Sequence, residues 1–520
     1  MRAASRSHHH APAAHKLSTL LAGFADVAPA CERLIYGLSL DSRTTRAGDL
    51  FLACHGTRTD GHAYIDQATR AGAVAIAWEM APGHAHPDLP PDCSGRNGRL
   101  PTFGIEQLGQ RVGVIAERFH DYPCRELSVI GITGTNGKTS ISHLLAQALT
   151  PALLSDKKPA CGVIGTLGYG LYGRLQPARH TTPDAPTLHA LLAEFRAAQA
   201  HHVVMEVSSH ALAQGRVNGV SFDTAVFTNL TRDHLDYHAN MDEYGQAKRR
   251  LFFMPGLRHA VVNADDAYGR ELISALPAHV KLLCYGLTAA AAGGVRGSGL
   301  KLSPGGLRMK VHTPAGEGVL HSPLLGRFNA SNLLGALGVL LAMGKPLPDA
   351  LERLTQAQPI PGRMERFGGG RKRPLVVVDY AHTPDALSQA LETLREHTSA
   401  DGKLWCIFGA GGDRDRGKRP LMGKAAQEHA DFIVLTDDNP RSEDPVSIIA
   451  DILGGMSNPD AVYIHRARGE AISFVLHHAL PGDTVLIAGK GHEDYQHIGD
   501  EKIPFSDREQ VLRLLHEMEP

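Results

Sequence analysis

The sequence has no CxxC pair, and its seven cysteines, at 31, 54, 93, 124, 161, 284 and 406, are scattered and odd in number. That excludes a disulfide scaffold and a zinc ribbon and points to a reducing cytosol, so a cytoplasmic location is expected. Charge of neither sign is in excess: 53 Lys and Arg stand against 54 Asp and Glu, for a net charge of -1. A broad nucleic-acid footprint and a polybasic membrane surface are therefore excluded. Apolar runs stop at strand length, so no membrane span is expected. No internal repeat and no long low-complexity segment is present. The N-terminal MRAASRSHHHAPAAHKL lacks a signal-peptide core. Its His8, His9 and His10 read as a loose tail or as a metal-binding run.

What is present suffices for about three domains in 520 residues. At 43% hydrophobic and 21% charged, the chain can fill several cores without a metal or disulfide staple. Glycine, at 55 residues, is abundant, so much backbone turns tightly or approaches something closely. The patterning divides the chain into residues 1–125, 126–361 and 362–520. In the first region a helix over 65–71, a glycine turn and a strand over 73–78 precede a polar loop over 81–101. A helix over 108–119 leads to the linker Asp121-Tyr122-Pro123. In the second region strands over 127–133, 203–207, 224–227 and 260–263 alternate with helical stretches. Glycine-turned hairpins over 294–320 and a helix over 326–343 follow. In the third, strands over 375–379, 404–408, 432–436 and 484–488 alternate with helices. This order predicts an α/β chain with a central ATP-binding parallel sheet and a C-terminal doubly wound, Rossmann-like domain.

The sharpest signal is Val129-Ile-Gly-Ile-Thr-Gly-Thr-Asn-Gly-Lys-Thr-Ser140. A β-rich run enters it, and Ile141, Leu144, Leu145, Ala148 and Leu149 leave it at helical spacing. Such glycines let backbone N–H groups curl around phosphate oxygens, and the helix N-terminus adds a favourable dipole. Lys138 is placed to neutralise β/γ-phosphates, and the Thr139 hydroxyl to bind Mg²⁺. Ile132 stands where a GxxxxGK[ST] loop has its first glycine. A glycine-rich turn with an incidental lysine is the alternative reading.

The segment Thr133-Gly-Thr-Asn-Gly-Lys-Thr139 resembles the ATP loop of the Mur ligase family, ATP-dependent amide-forming enzymes of bacterial peptidoglycan synthesis. Further motifs, from LDSR at 40–43 to GKGHEDYQ at 489–496, resemble its members that add the third amino acid to UDP-N-acetylmuramoyl-L-alanyl-D-glutamate. The resemblance implies ATP and Mg²⁺ as cofactors and roles in cell-wall biogenesis, cell shape and cell division. It places Gly134, Thr135, Asn136, Gly137, Lys138, Thr139 and Asn332 on ATP, although Asn329 and Asn332 could equally cap a helix. It places Thr139, Glu206, His234 and Lys248 around the metal, with Lys248 carbamylated, and makes Lys138, Lys248 and His234 catalytic. Taken singly, Glu206 and His234 also fit structural polar roles. Lys248-Arg249-Arg250 also fits a solvated helix face.

For the sugar-peptide, the resemblance implies contacts by Leu40, Ser42, Thr57, Arg58, Thr59, Thr181, Thr182, Ser208, Gln214 and Arg216. LDSR alone also reads as an ordinary turn. His180 stands where many relatives carry Asn. In the third region the polar motifs DYAHTPD, GAGGDRD, DNPR and GKGHE each follow a strand, which predicts one shared site at the strands' carboxyl ends, facing the ATP loop. DNPR resembles the family's diaminopimelate motif. meso-Diaminopimelate is lysine with a second carboxylate, and an arginine fork such as Arg441 is left unpaired when that carboxylate is missing. Arg414, Asp438, Asn439, Pro440, Arg441, Gly489 and Glu493 are the implied contacts; a surface turn with a salt bridge is the plainer alternative. Ala410 replaces the family's cysteine in this loop.

The implied chemistry is activation of the D-glutamate γ-carboxyl as an acyl phosphate, followed by attack of the amino acid's amine; His382 is a candidate base. A monomer is expected, with the last domain closing on binding. Three rival ligase activities, lysine-adding, alanyl-alanine-adding and folate-polyglutamating, run against DNPR and the 40–43 motif. A nucleotide-dependent switch protein is the rival of another class.

Overall fold

The computed structural model describes residues 14–56, 59–80, 100–150, 161–178, 180–288, 293–303, 306–370, 372–396 and 398–518. The expected histidine tail, Thr57, Arg58 and all but the last two residues of the expected 81–101 loop lie outside these.

Three sheets organise the chain. In the first region β1 (Gly37–Ser39), β2 (Asp49–Ala53), β3 (Ala75–Met80) and β4 (Thr102–Glu106) pair in sequence order, all parallel. Strand β3 begins two residues later than the apolar run suggests. Gly72, at φ +104°, closes the preceding helix, and Ala73 still donates to Ala68 O at 3.1 Å. The helix α1 (Leu108–Phe119) buries Leu108, Val112, Ile115 and Phe119 against this sheet. Its opposite side meets the central region through small residues. A Cβ on Gly113 would lie 1.8 Å from Asn218 O, and Asn218 Nδ2 donates to Gln110 O at 2.9 Å.

The central sheet has eleven strands. In chain order they are β5 (Ser128–Thr133), β6 (Gly162–Gly165), β7 (Gly168–Leu171), β8 (Arg174–Gln176), β9 (His202–Glu206), β10 (Thr224–Phe227), β11 (His259–Asn263), β12 (Lys281–Gly286), β13 (Val295–Ser303), β14 (Gly306–Thr313) and β15 (Gly316–Ser322). Their spatial order is β8-β7-β6-β9-β5-β10-β11-β12-β13-β14-β15. The run from β6 to β13 is parallel and both flanks are antiparallel. The glycine-turned hairpins thus continue the parallel sheet, joined where Tyr285 pairs with Val295. Strand β5 alternates its side chains between two cores. Ile130 and Ile132 join α2 (Lys138–Leu149) and α4 (Arg327–Ala342) on one face, and Val129 joins Phe222, Leu251 and Phe252 on the other. Between them in sequence, α3 (Met241–Arg249) begins at an Asn240 cap, whose side chain accepts from Glu243 N at 2.8 Å.

The third sheet contains β16 (Glu365–Gly368), β17 (Leu375–Asp379), β18 (Leu404–Phe408), β19 (Phe432–Leu435), β20 (Tyr463–Ile464) and β21 (Thr484–Ala488), in the order β16-β17-β21-β18-β19-β20. All but β16 run parallel. Helices α5 (Pro384–Arg395) and α6 (Lys418–His429) cover one face. Cys54, Cys124, Cys161, Cys284 and Cys406 are free thiols, whereas Cys31 is disulfide-bonded, contrary to the expectation of reduced cysteines throughout. No described helix is long and apolar enough to cross a membrane.

Candidate active site

The carboxyl ends of β5, β9 and β10 meet the third region around a cavity of about 650 Å³. Ile132 lies inside β5, paired with Glu206 on one side and Val226 on the other, so no glycine is needed there. The turn starts at Gly134, at φ +142°, where a Cβ would lie 1.8 Å from Thr228 Oγ1. Gly137 adopts φ +86° at the entry to α2, and its Cβ position would be 2.6 Å from Asn332 Oδ1. Lys138 Nζ donates to Gly134 O at 2.9 Å and Thr135 O at 2.8 Å. Asn329 and Asn332 sit inside α4 and do not cap it; Asn332 Nδ2 donates to Asn329 Oδ1 at 3.1 Å.

Glu206 ends β9 fully buried. Its carboxylate accepts from Thr139 Oγ1 at 2.9 Å, Thr166 N at 2.8 Å and Thr166 Oγ1 at 3.1 Å. Lys248 is buried on α3, over the Tyr244 ring at 4.1 Å, and donates to Gly134 O at 2.9 Å. Burial, reinforced by the Lys138 ammonium, holds Lys248 well below the usual lysine range. That placement rules out the solvated-face alternative for Lys248. His234 has φ +56° and lines the cavity; burial pushes its imidazole down to about 3, against the opposing pull of Asp233.

The central sugar-peptide candidates converge. Thr182 Oγ1 donates to Glu206 O at 2.7 Å, and Thr181 Oγ1 is 3.1 Å from Thr166 Oγ1. Ser208 caps the helix Ser209–Ala213. Arg216 donates to Gln214 Oε1 at 2.8 Å and Thr182 O at 3.0 Å. Leu40, Ser42 and Thr59 lie on the first sheet's loops and do not line this cavity. Ser42 Oγ donates to Gln67 Oε1 at 2.9 Å, so the 40–43 turn is fastened to the helix over 65–70.

The four C-terminal motifs meet at the carboxyl ends of β17, β18, β19 and β21, as their spacing predicts. Arg441, at φ +52°, donates to Gly412 O at 2.7 Å. A Cβ on Gly412 would lie 1.9 Å from Pro440 O, and one on Gly489 would lie 2.3 Å from Asp438 Oδ2. Asn439 Nδ2 donates to Glu493 Oε2 at 2.8 Å. Burial, and Arg414 nearby, lower the Arg441 guanidinium from its ordinary range. Ala410 is buried in the adjoining 409–415 loop. These bonds tie the turn to its neighbours.

Three residues bridge the regions, and a fourth, Lys490, lies within the third region; none of the four was assigned a role from the sequence. Arg363 reaches from the junction to donate to Thr139 Oγ1 at 3.1 Å and stacks on Tyr380 at 4.3 Å. Lys418 Nζ donates to Asp233 Oδ1 at 3.4 Å. Asp233 also lies 3.6 Å from both His234 and His382, whose Nδ1 is 2.8 Å from Tyr380 O. Burial alone would raise the Asp233 carboxyl, but Lys418 and the two histidines hold it well below the carboxylate range. Asp385, also a bridge, accepts from Asn136 Nδ2 at 3.3 Å. Lys490, the fourth, is buried between Asn439 and Glu493. The signal available for Lys418 was its position after GGDRDRG, and for Lys490 its place inside GKGHE.

Comparison with known proteins gives a consistent result. Residues 132–340 match the Mur ligase middle domain, 362–491 the Mur ligase, glutamate ligase domain, and 34–102 the Mur ligase family, catalytic domain. The chain is similar to the UDP-N-acetylmuramoyl-L-alanyl-D-glutamate–2,6-diaminopimelate ligase of Pseudomonas aeruginosa, with 51% identity over 489 residues, covering 94% of this chain and 96% of the relative. It is 50% identical to the same-named ligase of Chromobacterium violaceum over 468 residues, 90% of this chain and 91% of that one. A solved structure of a ligase with that name aligns with TM-score 0.65 and 38% identity, over 94% of this chain and 96% of the other.

Proposed function

Because the chain belongs to the Mur ligase family, we propose a division of labour among its residues that serves a single reaction. The chain is an ATP-dependent ligase that joins 2,6-diaminopimelate to UDP-N-acetylmuramoyl-L-alanyl-D-glutamate in peptidoglycan synthesis. The finer assignments are ours. Residues 1–125 bind the uridine end through Leu40, Ser42 and the 57–59 loop. Residues 126–361 hold ATP and the peptide, and residues 362–520 bring the amino acid. The enzyme works as a cytoplasmic monomer.

The carboxylate to be activated is the D-glutamate γ-carboxyl, positioned by Thr181, Thr182, Ser208, Gln214 and Arg216. Gly134 to Thr139 cradle the phosphates, with Asn332 on the adenine side. Lys138 neutralises charge as the γ-phosphoryl group moves to the carboxylate. The resulting acyl phosphate is attacked by the amine of meso-diaminopimelate, and phosphate leaves. A buried carboxylate and a hydroxyl 2.9 Å apart at the head of the cavity are hard oxygen donors that fit Mg²⁺. Thr139, Glu206, His234 and Lys248, the last after carbamylation, would hold that ion. When bound, Mg²⁺ supplies charge neutralisation for phosphoryl transfer. The depressed lysine supports carbamylation, since an uncharged amine is the form that reacts with carbon dioxide. His382 is suited to take the amine's proton, with Asp233 orienting its ring.

The observation that carries the amino-acid assignment is the seating of Arg441. A strained backbone and the Gly412 carbonyl fix its guanidinium over the Gly411–Gly412 backbone, within electrostatic reach of Glu493. Phosphate release should require ATP, the UDP-muramoyl-dipeptide and diaminopimelate together, with lysine a poor substitute. Arg441→Ala should lower kcat/KM for diaminopimelate by about tenfold to a hundredfold or more. Equal discrimination against lysine in that variant would overturn the assignment of Arg441.

A further inference from the structure

The residue after Gly489 is a lysine with no exposed surface at all. Burying an ammonium is costly unless it is paired and hydrogen-bonded. Lys490 Nζ donates to Glu493 Oε2 at 3.0 Å and to Asn439 Oδ1 at 3.2 Å. Its charge also lies 5.5 Å from the centre of the Tyr495 ring. Asn439 is held at both ends: Nδ2 donates to the same Glu493 Oε2 at 2.8 Å, and Oδ1 accepts from His497 N at 2.9 Å. Both donors on Glu493 therefore fall on one oxygen. Among the described residues no donor reaches the carboxylate's other oxygen, Oε1, and the Glu493 side chain keeps 16% exposure. Arg441 lies two residues from Asn439, and its N–H bonds to His497 O at 2.9 Å. One buried cation thus sits under the DNPR turn and under Glu493 at once.

We infer that Lys490 is a positioning residue for the amino-acid substrate. It clamps Glu493 and Asn439 so that the free carboxylate oxygen meets an ammonium of diaminopimelate while Arg441 meets the distal carboxylate. The inference rests on the reading of residues 438–441, 489 and 493 as the amino-acid pocket. A lysine that merely offset a buried carboxylate would affect stability without preference among substrates. Lys490 predicts a preference, because its partners face one substrate of the three.

The test uses full-length enzyme with Lys490→Met and Lys490→Gln, and with Arg441→Ala in parallel. Melting temperature and KM for ATP, for UDP-muramoyl-dipeptide and for diaminopimelate are measured by phosphate release. Loss of hydrogen bonds to a charged group should raise KM for diaminopimelate by at least about tenfold. KM for the other two substrates should stay at wild-type values. In a Glu493→Gln background, Lys490→Met should add little, because the two side chains act as a unit. An unchanged KM for diaminopimelate in either folded variant overturns the inference, as does an equal rise for all three substrates. If Arg441→Ala also leaves diaminopimelate use unaltered, the pocket itself is misassigned. If Arg441→Ala impairs it and the Lys490 variants do not, only the inference about Lys490 fails.

Discussion

Lys248 and Lys138 both donate to the carbonyl of Gly134, which draws two ammonium groups to one oxygen. Their mutual repulsion and burial favour loss of one charge, and Lys248 is the more deeply buried. Carbamylation would replace that cation with an anion. Intact-mass measurement of active enzyme should show the added mass of one carbon dioxide, absent from Lys248→Ala. That variant should lose about 10- to 100-fold in activity or more, and short carboxylates should restore part of it. An unmodified lysine in fully active enzyme would count against the carbamate. At this scale the sequence was readable where a motif fixes spacing, as in residues 133–139, and unreadable where a contact is made at long range. Lys418 and Asp233 are 185 positions apart, and nothing local to either marks the other as its partner.

Elements place the chemistry. The phosphate turn works because β5 ends between β9 and β10, which deliver Glu206 and Thr228 to its two sides. Gly134 is where the turn approaches β10 most closely. Gly134→Ala therefore should meet both a backbone penalty of about 1–3 kcal/mol and the Thr228 hydroxyl. A rise in KM for ATP of about tenfold is expected from steady-state assays. Gly173→Ala should leave KM for ATP unchanged, since that glycine also has positive φ (+87°) but has nothing within 4 Å. Strands over 224–227, 375–379, 404–408 and 484–488 follow from apolar runs bounded by polar motifs, and α1 over 108–119 from its helical period. The merging of the hairpins with the parallel sheet did not follow. A glycine-rich hairpin has the same local pattern whether or not another strand borders it, and the Tyr285–Val295 pairing is tertiary.

Across the whole molecule the two outer regions are attached differently. The third region meets the centre through side-chain charges and amides, Arg232 with Asp415, Lys418 with Asp233, Arg363 with Thr139, and Asn136 with Asp385, and through Leu325 and Phe328 packed into its core. Arg232 is 42% exposed, so its pair is screened by salt and contributes about 1 kcal/mol or less. The buried Lys418–Asp233 pair leaves an uncompensated charge when cut. Small-angle scattering should therefore show a larger radius of gyration for Lys418→Met than for Arg232→Ala. The Arg232→Ala difference from wild type should shrink as salt rises; identical profiles for all three proteins would mean that these pairs do not hold the regions together. Three separate regions were legible from the alternating pattern, and closure of the last one was expected from the need to gather three substrates, but the contacts that join it to the centre were not legible, since they pair distant segments.

The first region has no such freedom. Backbone-to-backbone approach of Gly113 to Asn218, with Gly219 against the Gly113 carbonyl, leaves no room for a side chain to slide or a water layer to enter. For anyone tracking the enzyme's motion by fluorescence, this seam supplies the stationary mark. A dye on the outer side of α1 should keep its distance from one on the central sheet, while the same donor paired with an acceptor on α6 tests the expected closure of the third region.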